Sequence, residues 1–585
     1  MVEQLIRNEQ VTGSSPVVGS IERITLIINN LKQRLYRYLD KLLGSDFNLE
    51  NIAIQEPKNK DFGDLSINAS MVLAPVLGKD PLSIADKLIE DLISKWNEID
   101  NIKVIKPGFI NFNLKKIFIK ENLGKIITEG ENYGCNKSGK GINVQLEYVS
   151  SNPTGHLHLG HGRWAALGDS LSNIYTANGY NAFREYYVND YGSQVKNFAD
   201  CIRCLYLKHF KKKVPYPEKG YPENVVGKVA AEIIETSGDK YIVKKNGGID
   251  VNLQSLGKEG IRIMVSHIRN TLSSMGVKFG KWFYESSLYK DSNFENVIKD
   301  LKNKKIIFEG DGALWFRSSF FGDDKDRVVV RNDGNPTYFA SDILYVLDKI
   351  DRGYDLLIYI LGADHHGYVK RLEAVGKAAG LSKGGLKVII GQLVRLIKGG
   401  KILKMSKRKG KVYTLGDLIS EVGKDPIRYF FCMNSFDTPM DFDVDLAKQK
   451  SNKNPVYYVQ YAHARIGSII EKAGSSRTTA DKIRDFDLSD VDISKLEFQN
   501  ETESELAKIL VLYPDVVYDS CRNNEPYFIT QYAYRLASQF HYFYNNYRII
   551  KENELDLDRF ILVLLVKVVL KNALYLLGID APEKM

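Results

Sequence analysis

Apolar residues recur at helical spacing through Ile24, Leu26, Ile27, Leu31, Leu35, Leu39 and Leu42 and stop at Gly44-Ser45, which predicts a helix over about 21–43. Residues 57–63 then read as a loop and Leu65–Leu77 as a helix. Pro81–Leu92 reads as a second helix with proline in its first turn. Phe109–Leu114 alternates with a period of two and predicts a strand. Together these elements predict a small α+β domain over 21–115, and the Gly/Lys/Ser-rich stretch 134–141 reads as a linker.

Beyond the linker the pattern changes to strand, helix, strand. Asn143–Val149 predicts a strand, Ser150–Gly160 a polar loop, His161–Ala177 a helix stopped by Asn178-Gly179, and Asn181–Val188 a second strand. The alternation returns with strands at Asp355–Leu361 and Lys387–Ile390 around a helix at Tyr368–Ala379. Two such units predict an α/β fold, a Rossmann-like doubly wound parallel sheet over about 116–440. The segment between them, about 200–330, carries the basic run Lys208–Lys213, Gly/Pro-rich turns and several helices, and reads as an insertion. From Pro455 the pattern is almost purely helical and rich in tyrosine, so 441–585 is expected to be an all-α bundle. Residues 1–20 have neither period. Their Gly13-Ser14-Ser15-Pro16 is what GGT-TCA-AGT-CC would encode, similar to the T-arm of a tRNA gene, so 1–20 are expected to be a non-native or disordered extension with translation starting near Ile21.

Composition narrows the class. In 585 residues, 44% hydrophobic and 26% charged side chains are ordinary for a globular protein and exclude a disordered or fibrous one. A net charge of +9 permits a polyanionic partner without requiring one. Five cysteines cannot build a disulfide scaffold, which favours a reducing compartment. Cys201 and Cys204 form a CxxC with no second half, so they read as two thiols on one face of a helix over Asn197–Phe210, and no metal site is expected. The apolar stretch Phe560–Val566 is interrupted by Lys567 and Lys571, too early for a membrane span, and the N-terminus lacks a signal-peptide core. A cytoplasmic protein is expected.

Two segments carry candidate chemistry. Residues 153–163, Pro-Thr-Gly-His-Leu-His-Leu-Gly-His-Gly-Arg, open a helix at the end of a strand. Backbone N–H groups there attract phosphate, and the glycines Gly155, Gly160 and Gly162 would let a ligand approach closely. His158 and His161 would add donors for phosphate oxygens. A polar turn of this kind is alone a weak signal. The second segment, 398–411, is a glycine-punctuated lysine run following the strand Lys387–Ile390 and its extension, which puts it on the same sheet edge as the histidine loop. Cations opposite a helix N-terminus clamp a polyphosphate.

These residues carry a resemblance. His158-Leu159-Gly160-His161 resembles the HIGH signature, and Lys404-Met405-Ser406-Lys407-Arg408 the KMSKS signature, of class I aminoacyl-tRNA synthetases. Residues 147–163, 362–368 and 454–466, the closing stretch 572–579, and residues 57–70 and 107–112 are similar to arginyl-tRNA synthetases of the bacterial type, so the likeness spans about 21–585. Arg408 replaces the serine of the second signature, and Asn572 stands where the family often has aspartate.

The resemblance implies activation of L-arginine with ATP and Mg²⁺ as substrate complex, with no tightly bound cofactor, followed by transfer to the terminal adenosine of tRNA(Arg). Since the attacking carboxylate arrives ionised, positioning and charge stabilisation carry the first step. That role falls to His158, His161, Lys404 and Lys407, with Gly160, Gly162, Gly362, Asp364, His365, Met405 and Ser406 around the ATP. Glu147, Asn152, Tyr338, Asp342 and Gln194 are implied for the arginine pocket, Tyr338 and Asp342 being four apart on one helical face. The helical C-terminal domain is implied to bind the anticodon stem through Tyr457, Tyr458, Tyr461 and Arg465, and the N-terminal one the tRNA elbow. The family generally needs bound tRNA before it activates arginine. A monomer without membrane association is expected. Two alternatives stand beside this reading: a class I synthetase of another specificity, which acidic residues Glu147 and Asp342 disfavour, and an inactive tRNA-binding module, which the intact signatures disfavour.

Overall fold

The computed structural model describes residues 26–43, 49, 51–245, 248–290, 293–403, 413–475, 486–551 and 554–585. The expectations for residues 1–20 and for Lys404, Met405, Ser406, Lys407 and Arg408 lie outside them. The chain divides into two units, Met1–Phe118 and Ile119–Met585.

In the first unit the helix Ile27–Leu43 buries Ile27, Leu31, Leu35 and Leu39, the stripe that the spacing predicts. A four-stranded antiparallel sheet runs in the order 54–55, 65–67, 109–114, 99–105. The expected helix Leu65–Leu77 is corrected: Leu65–Ile67 is a strand paired with Ile110–Phe112, and the helix begins at Ala69. All three strand residues are buried, so pairing with the Phe109–Leu114 strand outweighs local helical spacing. Pro81 does start its helix, with the Asp80 carboxylate accepting from the Ser83 amide at 3.1 Å.

The second unit is built on five parallel strands: β1 Asn143–Tyr148, β2 Asn181–Val188, β3 Lys281–Tyr284, β4 Leu356–Gly362 and β5 Leu386–Gly391. Their order is β5-β4-β1-β2-β3, all neighbours parallel. The strand order reverses at β1/β4, and in such sheets ligands bind beyond the carboxyl ends of the strands at that point. The supporting helices are α1 Leu159–Ala177, α2 Ser193–His209, α3 Leu253–Ser274, α4 Tyr338–Asp351, α5 Val369–Ala378, α6 Lys424–Cys432, α7 Pro455–Ser475, α8 Tyr527–Asn546 and α9 Leu557–Leu576. No helix among the described residues is long and apolar enough to cross a membrane.

Three expectations change. Residues 200–330 are not wholly an insertion, because β3 within them completes the central sheet. The stretch 134–141 is a fixed turn rather than a free linker: the Asn136 and Gly139 amides donate to the carbonyls of Ala177 and Asn178 at the end of α1, each at 2.8 Å. The lysine run begins in a separate three-stranded sheet, where Val394–Lys398 pairs antiparallel with Lys401–Leu403 and parallel with Met440–Asp443. Cys201 and Cys204 are both buried on α2, and among the described residues no cluster of three or more His, Cys, Asp or Glu could hold a metal.

The base of α1 is tied to the C-terminal helices through buried charge. Arg428 on α6 is fully buried; it pairs with Asp169 of α1 at 2.7 Å and donates to the Leu577 carbonyl at 2.7 Å. Asn572 on α9 donates through its amide nitrogen to the carbonyls of Gly130 at 2.9 Å and Tyr133 at 3.2 Å. An ionised aspartate in its place could not donate, which accounts for an asparagine at this position.

Candidate active site

The chain leaves β1 through two strained residues, Val149 at φ +70° and Ser150 at φ +37°. Left-handed backbone at a β-branched residue is costly and persists only where surroundings hold it. Here the Ser150 hydroxyl donates to Glu147 Oε1 at 3.1 Å and accepts from the Tyr187 amide at 3.2 Å. Tyr186 bonds both the amide (3.0 Å) and the carbonyl (2.9 Å) of Ser151. The bend turns the following loop over the carboxyl edge of the sheet, where a cleft of about 910 Å³ opens between the ends of β1, β2, β3 and β4.

At the cleft the loop enters α1 two residues earlier than the sequence suggests, with His158 as N-cap. His158 Nδ1 accepts from the His161 amide at 3.4 Å, and His161 Nδ1 accepts from the His158 amide at 3.2 Å, a reciprocal capping box. The rings stack with centroids 3.6 Å apart, and the edge of Trp164 packs against both. Since each Nδ1 accepts a backbone N–H, the proton of a neutral ring sits on Nε2, so each ring has its donor on the side away from the cap. Burial, with His158 beside it, pushes His161 well below the ordinary imidazole range, which keeps it neutral at physiological pH. Capping and donation are therefore compatible in the same residue.

The other wall is acidic. Asp342 directly follows Ser341 on α4, and its Oδ2 is buried with no hydrogen-bond partner among the described residues. Burial first, then the carboxylates of Glu285 and Glu147, raise its pKa to about 7. Glu285, at the carboxyl end of β3, is buried, accepts from the Ser341 hydroxyl at 2.9 Å and is also raised, mainly by burial. Its position is fixed by Asp190, which accepts from the Ser286 amide at 2.8 Å and hydroxyl at 2.7 Å. The sequence reading missed Glu285 because β3 itself was hidden in the presumed insertion. Tyr338 opens α4 at the cleft mouth with 59% of its surface exposed. Asn152 donates to Gln194 Oε1 at 2.8 Å, and both side chains line the cleft.

Glu147, Gly362, Asp364 and His365 line the same cleft, but not every proposed residue does. Neither Gly160 nor Gly162 is on the cleft wall. A Cβ on Gly160 would lie 3.0 Å from the His158 ring, and one on Gly162 would lie 2.5 Å from Leu415 and 3.1 Å from Phe431. Their lack of a side chain serves ring stacking and helix packing rather than ligand approach. Just beyond the lysine run, Thr414 lines the cleft, and the Leu415 amide donates to the carbonyl of Leu157 in the histidine loop at 2.9 Å. Two segments 258 residues apart in sequence are thus joined by backbone at one mouth. On α7, away from the cleft walls, Tyr457 stacks on Tyr461 at 5.8 Å, and the Arg465 guanidinium lies 4.5 Å from the Tyr461 ring and 5.0 Å from that of Tyr544. Tyr458 turns instead toward Tyr534 and His541.

Comparison with known proteins agrees with this geometry. Residues 122–431 match the model of the class I tRNA synthetase (R) catalytic domain, 29–114 the arginyl tRNA synthetase N terminal domain and 459–585 the DALR anticodon binding domain. The arginine–tRNA ligase of Bacillus subtilis (strain 168) is 40% identical over 545 residues, covering 93% of this chain and 96% of that one. The chain belongs to the arginine–tRNA ligase family. The ligase of Bacillus licheniformis is likewise 40% identical over 558 residues, covering 95% of this chain and 98% of that one. Among solved structures, an arginyl-tRNA synthetase from Campylobacter jejuni superimposes with a TM-score of 0.70 at 33% identity, covering 81% of this chain and all of that one. The Thermus thermophilus arginyl-tRNA synthetase shares the fold, with a TM-score of 0.72 at 19% identity over 96% of this chain and all of that one. The enzyme is thus a class I ligase with an α/β catalytic core, an N-terminal domain and a helical C-terminal domain.

Proposed function

We propose that the chain activates L-arginine with MgATP to arginyl-adenylate and transfers the arginyl group to the 3′-terminal adenosine of tRNA(Arg). The observation that carries this reading is the acidic pair of half-buried Asp342, whose Oδ2 is buried, and buried Glu285, opening into the cleft that also holds His158 and His161. A guanidinium presents parallel donors to such carboxylates, and its charge returns Asp342 to its ionised form. An amino acid lacking those donors would leave buried acceptors unmatched.

In the first step the arginine carboxylate attacks the α-phosphorus and pyrophosphate leaves. His158 and His161 donate from Nε2 to the charge that builds on phosphate oxygens, and Lys404 and Lys407 neutralise the departing pyrophosphate, with Mg²⁺ as part of the ATP substrate. Met405 and Ser406 hold the nucleotide between those lysines. Gly362, Asp364 and His365 flank the adenosine. Tyr338, Asn152 and Gln194 close the pocket around the substrate backbone and side chain, and Glu147 supports it from beneath. Tyr457, Tyr461 and Arg465 offer ring and guanidinium surfaces to tRNA bases. We assign 21–115 to tRNA contact, 116–440 to catalysis and 441–585 to the anticodon. Free thiols at all five cysteines support a reducing, cytoplasmic setting. We propose that the chain acts as a monomer.

The test is pyrophosphate exchange into ATP, with each of several amino acids, with and without tRNA. Exchange is expected with arginine and only when tRNA(Arg) is present. Silence with arginine plus tRNA refutes the reading.

A further inference from the structure

Beneath the acidic pocket lies a cation that needs an explanation. Lys349 sits seven residues after Asp342 on α4, about two turns on. It is fully buried, and its Nζ donates to Glu147 Oε2 at 2.7 Å. The rings of Tyr359 and Tyr345 lie 3.7 and 4.0 Å from the same ammonium. With the Ser150 hydroxyl on Oε1, both oxygens of Glu147 are engaged. The next carboxylate behind, Glu185, is held by Arg352 at 2.5 and 2.9 Å and by the Tyr345 hydroxyl at 2.6 Å. The two carboxylates on the strands are therefore matched by cations of α4 and the turn after it, whereas Asp342 Oδ2 is not.

We propose that Lys349 is a positioning residue for arginine recognition: by holding Glu147 from behind, it leaves Asp342 and Glu285 to meet the guanidinium. This rests on the arginine pocket proposed above. The groups facing Asp342 are Glu285 and Tyr289 beside β3, Glu147 on β1, Tyr187 on β2, Tyr359 on β4, Arg371 on α5 and Lys349 on its own helix. Glu285 and Glu147 raise Asp342, and Arg371 and Lys349 lower it. Deleting the ammonium alone removes a lowering charge and frees a raising one, so both effects act in the same direction. Deleting both members of the pair removes opposite charges and nearly cancels.

The experiment is steady-state aminoacylation at saturating MgATP and tRNA(Arg), with kcat/KM for arginine followed from pH 5.5 to 8.5; its acid limb reports the free enzyme. In Lys349→Met that limb is expected to move up by about one pH unit, so kcat/KM at pH 7 falls about fivefold through KM while kcat stays within about twofold. Lys349→Met/Glu147→Gln is expected to return the limb to the wild-type position. A folded Lys349→Met whose limb does not move, or a double variant no better than the single, overturns the proposal. Should Lys349→Met fail to fold, the double variant decides, since it carries no unpaired buried charge: its limb must match wild type, and a limb displaced by a full unit overturns the idea. Asp342→Asn, run beside them, separates the two readings. If it leaves the KM for arginine unchanged, the pocket assignment fails; if it abolishes arginine use while Lys349→Met keeps a wild-type limb, only the role of Lys349 fails.

Discussion

Asp342→Asn should make the ligand-free protein more stable at pH 8 while destroying its use of arginine. Asp342 rises from an ordinary 3.8 to about 7, chiefly because burial penalises its charge. A carboxyl whose folded-state pKa is raised contributes stability in its protonated form, fully present below the unfolded value and lost as pH climbs through the folded one. With tenfold in proton affinity worth 1.36 kcal/mol, the rise corresponds to about 4 kcal/mol between the acid limit and pH 8, of which about 3 kcal/mol falls between pH 5 and pH 8. The amide of asparagine does not titrate and escapes this loss. Chemical denaturation of the wild type and the variant at pH 5 and pH 8, without ligand, should show the variant gaining by about 3 kcal/mol over that interval. In wild type, adding arginine should offset the same penalty, and binding at pH 6 should release a proton, seen calorimetrically in buffers of differing ionisation heat. A variant whose stability tracks wild type across pH, or one that still binds arginine normally, refutes the reasoning.

Three other outcomes follow. His161→Ala removes one aimed donor and half of the capping box, so adenylate formation should fall by about 10²–10³ in kcat while tRNA affinity by filter binding stays within about twofold. Gly162→Ala should lower stability by about 1–3 kcal/mol through its contact with Leu415 and Phe431, with the KM for ATP unchanged, as a thermal melt and an ATP titration would report. Raising salt should weaken tRNA binding steeply and arginine binding little, because phosphate contacts release counterions and the buried pocket does not; equal slopes would contradict the division of roles.

The parallel core was legible because short runs rich in aromatic and aliphatic residues, bounded by turn residues, mark strands: β1, β2, β4 and β5 lie within a residue or two of their expected bounds. β3 was not, since four residues, Lys281–Tyr284, between long helices give too short a signal. Losing β3 also hid Glu285, which no motif marks; only the rule that ligands gather at strand carboxyl ends could have found it. The two histidines were legible from a motif, yet their capping geometry was not, because helix start and ring stacking are settled by backbone detail. Glu147 was expected in the arginine pocket, and it lines the cleft with both carboxylate oxygens engaged. Its partner Lys349 is 202 residues away, and no local pattern announces a pairing at that distance.

The bend after β1 has a consequence for anyone improving this protein. Valine at φ +70° stores conformational energy, on the order of 1–3 kcal/mol, that glycine or asparagine would release. A library sorted by heat resistance alone should therefore enrich those residues at 149. Its winners would survive boiling better and charge worse, since the hinge that aims Asn152 at the pocket would have lost its set.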